Sequence, residues 1–108
     1  MQKYLFYGAY TPKGYKGLLA EGGESRAEAV RIAAESMGGS LESFYFSFGE
    51  YDFYVIVNLP DNVSATAFTL SGNVNAAFTM NTVTLLAPKE LDQALKIKVN
   101  YRMPGKTI

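Results

Sequence analysis

Leu41-Glu-Ser-Phe-Tyr-Phe-Ser-Phe-Gly-Glu-Tyr-Asp-Phe-Tyr-Val-Ile-Val-Asn-Leu59 is the stretch on which the fold turns. It reads as two strands, about 41–48 and 53–59, around a short acidic turn. Successive strand residues point to opposite faces of a sheet. Here both faces of both strands carry apolar or aromatic side chains, so each strand needs a cover on two sides. A single domain of 108 residues supplies one such cover, and the second is expected from another subunit.

Outward from that hairpin, Lys3–Tyr10 reads as a first strand ended by Thr11-Pro12. Lys13–Ala20 reads as a loose helical turn broken by Gly14 and Gly17, and Glu21–Glu24 as a loop. Ser25 is the expected start of the clearest helix, with Glu28 at capping-box spacing. Val30, Ala33, Ala34 and Met37 follow as one apolar stripe, and Gly38-Gly39 is a natural stop. After the turn at Pro60–Asn62, a weaker helix is expected to bury Val63, Ala67, Leu70 and Val74. Its threonines and Gly72 make it a poor helix former, so packing must hold it. A fourth strand spans about Phe78–Leu86. Pro88 opens a short last helix through Leu91, Ala94, Leu95 and Lys98. The tail, 100–108, shows no pattern and is expected to lie over a surface or a neighbour.

The order βαββαβ plus a helix, with right-handed crossovers, predicts an α+β, ferredoxin-like fold. Its four-stranded antiparallel sheet has strand order 4-1-3-2 and both main helices on one face. Strands one and three then lie in the centre, and they are the more continuously apolar. Strands two and four mix in Ser43, Ser47, Thr79, Asn81, Thr82 and Thr84. The face away from the helices would expose four to six aromatic side chains of ~150–250 Å² each. That exceeds the ~300–600 Å² patch usual on a monomer. Two sheets packed face to face would bury it, which predicts a homodimer or a higher homo-oligomer built from dimers.

Composition narrows the chemistry. The chain is 48% hydrophobic and 19% charged, with ten basic and ten acidic residues. It is a globular composition with no basic run for nucleic acid. There is no Cys and no His. Disulfides, thiol nucleophiles, His bases and the usual zinc, iron–sulfur and haem ligands are therefore excluded. Asp and Glu are scattered without metal-loop spacing, so neither a metal nor a cofactor is implied. Acid–base work falls to carboxylates, Tyr or Lys. No apolar run reaches the ~18 residues of a membrane span, and the N-terminal run is short for a signal peptide. Cysteine usage agrees with a cytoplasmic protein.

Gly49-Glu50-Tyr51-Asp52 resembles the Gly-x-Tyr-Asp motif of the GYD domain family of small bacterial and archaeal proteins. The likeness extends over Tyr4–Thr11, Gly17–Gly23, Ser25-Arg26 and Gly39–Pro60. It implies a ferredoxin-like domain similar to the dimeric α+β barrel proteins. Among those barrels are cofactor-free monooxygenases, lactone isomerases, haem-degrading enzymes and effector-sensing domains. Haem chemistry through a His ligand does not carry over.

Three sets of candidate residues follow. Gly49 and Asp52 build a hairpin turn, with Asp52 accepting backbone bonds; alternatively Asp52 or Glu50 sits at a barrel mouth as a base or ion-pair partner. Arg26, expected in the first position of a helix, is unfavourable against the helix dipole. Asp52 or Glu50 is its expected partner, and with Gly22-Gly23 it can hold an anion. Tyr7, Tyr45 and Tyr54 are either packing or ligand-orienting hydroxyls in a barrel interior. Three functions remain open. One is a binding protein holding a small, partly aromatic or anionic molecule in or at the rim of a dimeric barrel. Another is a small cofactor-independent isomerase or monooxygenase using Asp52 or Tyr7 as acid or base. The third is a purely structural self-assembling domain.

Overall fold

A computed structural model describes residues 1–105; the last three residues of the tail, 106–108, lie outside the described residues. The elements are β1 (Gln2–Tyr10), α1 (Pro12–Glu21), α2 (Gly23–Ser36), β2 (Ser40–Phe46), β3 (Phe53–Leu59), α3 (Asn62–Asn73), β4 (Phe78–Leu85) and α4 (Pro88–Leu95). The sheet runs β2-β3-β1-β4 with every pairing antiparallel. The two most apolar strands, β1 and β3, take the centre, and the mixed strands β2 and β4 take the edges.

Period-two alternation divides the sheet into two unlike faces. Tyr4, Phe6, Val55, Val57, Leu59 and Met80 lie under α2 and α3 with Ala34 and Ala65, and form the core. Tyr4, Phe6, Val57 and Leu59 are its largest fully buried side chains. The Tyr4 hydroxyl is satisfied by Asn62 Oδ1 at 2.6 Å, as a buried phenol requires. On the other face Leu5 stands opposite Ile56 and Val83, and Tyr7 opposite Tyr54 and Asn81. Among the described residues no helix covers that side.

Four local expectations change. The stretch 12–21 is a full helix, not a loose turn. The Thr11 hydroxyl caps it by accepting from Gly14 N at 3.2 Å, and Pro12 stands at its first position. Gly14 is needed there because a Cβ would fall 1.8 Å from the Ala77 carbonyl oxygen. Second, α2 begins at Gly23 rather than Ser25, and no side chain caps it. The capping box fails because Ser25 Oγ donates to Glu21 at 2.8 Å while Glu28 is held by Arg31. The far end is as read: Gly38, at φ 81°, and Gly39 donate to Glu35 O and Ala34 O in a Schellman turn.

Third, α3 buries the opposite face from the one its large apolar residues suggest. Ala65 is buried and Phe68 packs on Phe6 at 4.7 Å, whereas Val63, Leu70 and Val74 are exposed. Small and hydroxyl side chains let α3 approach β4 closely. Thr69 and Thr82 share a hydroxyl hydrogen bond of 2.5 Å, and the Asn73 amide bonds Met80 N and O at 2.7 and 3.1 Å. Fourth, Gly49 does not supply the left-handed residue of the β2–β3 turn. Phe48 does, at φ 58°, with its ring stacked on Phe46 at 5.8 Å.

Candidate functional site

β1 leaves the sheet at Tyr10, and three elements gather around that exit. The Thr11 backbone N–H donates to Ala77 O at 2.9 Å, and the Thr11 hydroxyl donates to Ala76 O at 2.7 Å. These bonds seat α1 against the turn that follows α3. Ala76 itself sits at φ 61°, a strained conformation for a residue with a Cβ. The Thr11 bonds to Ala76 O and Ala77 O hold that turn over the end of the sheet in spite of the strain.

Between this turn, α2 and the sheet lies a cavity of ≈ 220 Å³. Phe44, Phe53, Phe68, Phe78 and Val30 make its walls, and Arg26 is the one formal charge on its lining. A second hollow of ≈ 310 Å³ adjoins it between α1, α2 and the same turn, lined by Lys13, Glu21 and Asn75. Tyr10, Arg26, Asn75 and Phe78 line both. The two hollows therefore form an apolar inner chamber and a more polar outer one, joined at Arg26. An engineered apolar cavity of about 150 Å³ already admits benzene, so the inner chamber has room for a ring.

Arg26 is the fourth residue of α2, not the first. Its expected partners, Asp52 and Glu50, are not the ones it meets. It faces Glu21 at 3.6 Å, and its charge acts on the Tyr10 hydroxyl. Glu21 also accepts from Ser25, so its carboxylate is shared. Burial pushes the Tyr10 phenol up from its ordinary range, and the Arg26 charge pulls against that. Sequence reasoning passed over Tyr10, although it has the same strand parity as Tyr4 and Phe6 and so had to point toward the helices.

The Gly-x-Tyr-Asp segment splits across the sheet. Asp52 is 5% exposed and is the one buried charged residue among the described residues. Its Oδ2 accepts from Tyr10 N at 2.7 Å, and its carboxylate acts on the Tyr15 hydroxyl of α1. Its own N–H donates to Gly8 O at 2.7 Å, and its carbonyl accepts from Ser47 N at 3.0 Å. One residue thus closes the β2–β3 turn, continues the β1 pairing and ties α1 to the sheet. The bond to Asp52 is the main reason the Tyr15 phenol is pushed up.

Tyr51 goes the other way, as strand parity demands. It meets Tyr7 edge-on at 4.7 Å and Tyr54 edge-on at 6.4 Å, while Tyr7 and Tyr54 stack at 6.1 Å. The nearby Glu50 carboxylate, then burial, push the Tyr51 phenol up. Tyr45 lies opposite Tyr54 and is 70% exposed, and Glu50 is exposed. The candidate residues therefore fall in separate places: Arg26 at the chamber junction, Asp52 buried behind it, and Tyr7, Tyr45, Tyr51 and Tyr54 on the uncovered face. Among the described residues no group of three or more His, Cys, Asp or Glu could hold a metal ion, and no helix is long and apolar enough to cross a membrane.

The GYD domain family model matches residues 4–95. The chain belongs to the GYD domain family. No curated protein and no solved structure matches the chain. Within this GYD domain the motif Asp is a buried fastener, and the motif Tyr belongs to an aromatic surface. The charged chamber lies outside the motif, on helix α2.

Proposed function

We propose that this GYD domain is a binding protein for a small anion with an apolar, ring-sized body. The body occupies the inner chamber, and the anionic group meets Arg26 and the Tyr10 hydroxyl at the junction, displacing Glu21. One observation carries this reading: Arg26, the sole formal charge on an aromatic-lined cavity, is held by a carboxylate no closer than 3.6 Å. Ligand sites combine apolar walls with a few placed polar groups in this way. The location differs from the barrel interior or rim expected from sequence, because the cavity lies on the helix side of the sheet.

The uncovered face takes a separate role in the proposal. Leu5, Tyr7, Tyr54 and Ile56 there are half-buried, with Tyr45 and Val83 more open. Such a face fits a second sheet laid against it, as in a ferredoxin-like dimeric α+β barrel. A binding role is favoured over acid–base catalysis because Asp52 is buried and already accepts from Tyr10 N. Tyr7 points to the opposite side of the sheet, so the two candidate acid–base groups do not converge on one substrate.

Titration calorimetry with 1-naphthoate and with the matched neutral 1-naphthalenemethanol tests the reading. The naphthoate is expected to bind more tightly. Arg26→Gln is expected to weaken naphthoate about 10-fold or more, the worth of one hydrogen bond to a charged group, and to leave the alcohol unchanged. Equal binding of both compounds to both proteins would end the proposal.

A further inference from the structure

A ring in the inner chamber and an acid group at Arg26 account for one hollow and the junction. They do not account for the outer hollow, the larger of the two at ≈ 310 Å³ against ≈ 220 Å³. One wall of it is a single face of α1. Gly14, Gly17, Leu18 and Glu21 line it three and four residues apart, so they lie one above another along the helix. Two of these four are glycines, and a Cβ on Gly17 would meet nothing within 4 Å. The space beside α1 therefore stays open. Lys13 borders it from the first turn of α1 and Glu21 from the last. At the ordinary helical rise their Cα atoms stand about 12 Å apart along the axis.

The polar groups on this lining are not equally available. Asn75 is engaged in its own turn: its Nδ2 donates to Gly72 O at 2.6 Å and its Oδ1 accepts from Ala77 N at 2.8 Å. Glu21 is shared between Ser25 and Arg26. Lys13 is different. Among the described residues no carboxylate pairs with its ammonium, and the first turn of α1 holds no acidic residue to offset it. A cation in that turn also opposes the helix dipole, whose N-terminal end favours an anion. An ammonium offers three donors and no acceptor, so what suits this end of the hollow is an anionic acceptor. Granted a first acid group at Arg26, on which this rests, we propose that the ligand is a dianion whose second acid group lies in the outer hollow against Lys13. Arg26 meets Glu21 at one end of α1 and Lys13 stands at the other, so the two acid groups are set apart by a short chain rather than carried on one atom. With Glu21 swung off Arg26, as the first group requires, two cations face two anions.

Titration calorimetry with 2-(1-naphthyl)succinate and 2-(1-naphthyl)glutarate, each beside the amide that neutralises its far carboxylate, tests this. Wild type is expected to bind at least one diacid about 3-fold or more tightly than its amide, the size of one partly wet ion pair, since Lys13 is exposed. Lys13→Gln is expected to erase that preference and leave both amides unchanged. Lys16→Gln, next along α1 but off the lining, is expected to preserve it. Arg26→Gln is expected to weaken diacids and amides alike. Equal binding of diacid and amide by wild type would overturn the proposal. So would a preference that survives Lys13→Gln, or one that Lys16→Gln removes equally. In each of these cases, amide binding that falls with Arg26→Gln leaves the single acid group at Arg26 in place. Failure of wild type to bind any of the four compounds would overturn both.

Discussion

The two faces of this sheet are built from alternate residues of the same strands, yet they do different things. On the helix side Tyr4, Phe6, Val57 and Leu59 are sealed from water, and the space that remains is a cavity with one charge at its mouth. On the other side Leu5, Tyr7, Tyr54 and Ile56 lie flat against one another with their outer surfaces wet. Apolar content alone does not separate the two faces; the helices do. A sequence reading that locates aromatic strands therefore places the greasy surfaces without saying which of them encloses a site.

The largest break in this comparison is expected at Phe6. Phe6→Ala removes a fully buried ring and should cost about 3–5 kcal/mol in urea unfolding. Ile56→Ala, one face over, should cost well under ~2 kcal/mol at low concentration, and more as the concentration rises if a second sheet covers it. Next comes Asp52. Asp52→Ala leaves Tyr10 N without its acceptor and should cost about 1–3 kcal/mol, read from the denaturant midpoint, whereas Asp52→Asn keeps an acceptor and should cost less.

A gentler probe is alkaline pH. Tyr10 and Tyr15 both have phenols raised above the ordinary 10.0, the first by burial and the second by its bond to Asp52. A raised acid favours its protonated form in the folded state. Their contribution is thus complete below pH 10 and is lost as pH climbs through the folded values. Tyr15→Phe should flatten the fall of the melting temperature above pH 10 while leaving the curve near pH 7 parallel to wild type. Smallest of all is Leu70→Gln on the outward stripe of α3, which should shift stability by no more than about 0.5 kcal/mol. A large loss there would mean that this stripe is covered after all.

Much of the frame was legible beforehand. β3 is where its nearly continuous apolar run, Phe53–Leu59, puts it, and the strand order is the one that right-handed crossovers require, with the strands apolar throughout in the centre. What escaped was set by contacts across the chain. α1 carries two helix-weakening glycines, but Gly14 is what allows its approach to the Ala77 carbonyl. α3 packs Phe68 inward but turns Val63, Leu70 and Val74 outward, because a close, partly hydroxyl-bonded contact with β4 suits its alanines and threonines. Arg26 was singled out for being misplaced against a helix dipole. It matters instead through the cavity it borders, and no local pattern announces a cavity.

Chemical-shift mapping on isotope-labelled protein tests the division of labour between the faces most directly. On titration with 1-naphthoate, the shifts should move at Arg26, Val30, Phe68 and Phe78 and stay still at Tyr7, Tyr45 and Tyr54. Perturbations confined to those three tyrosines, with the helix side silent, would contradict the account.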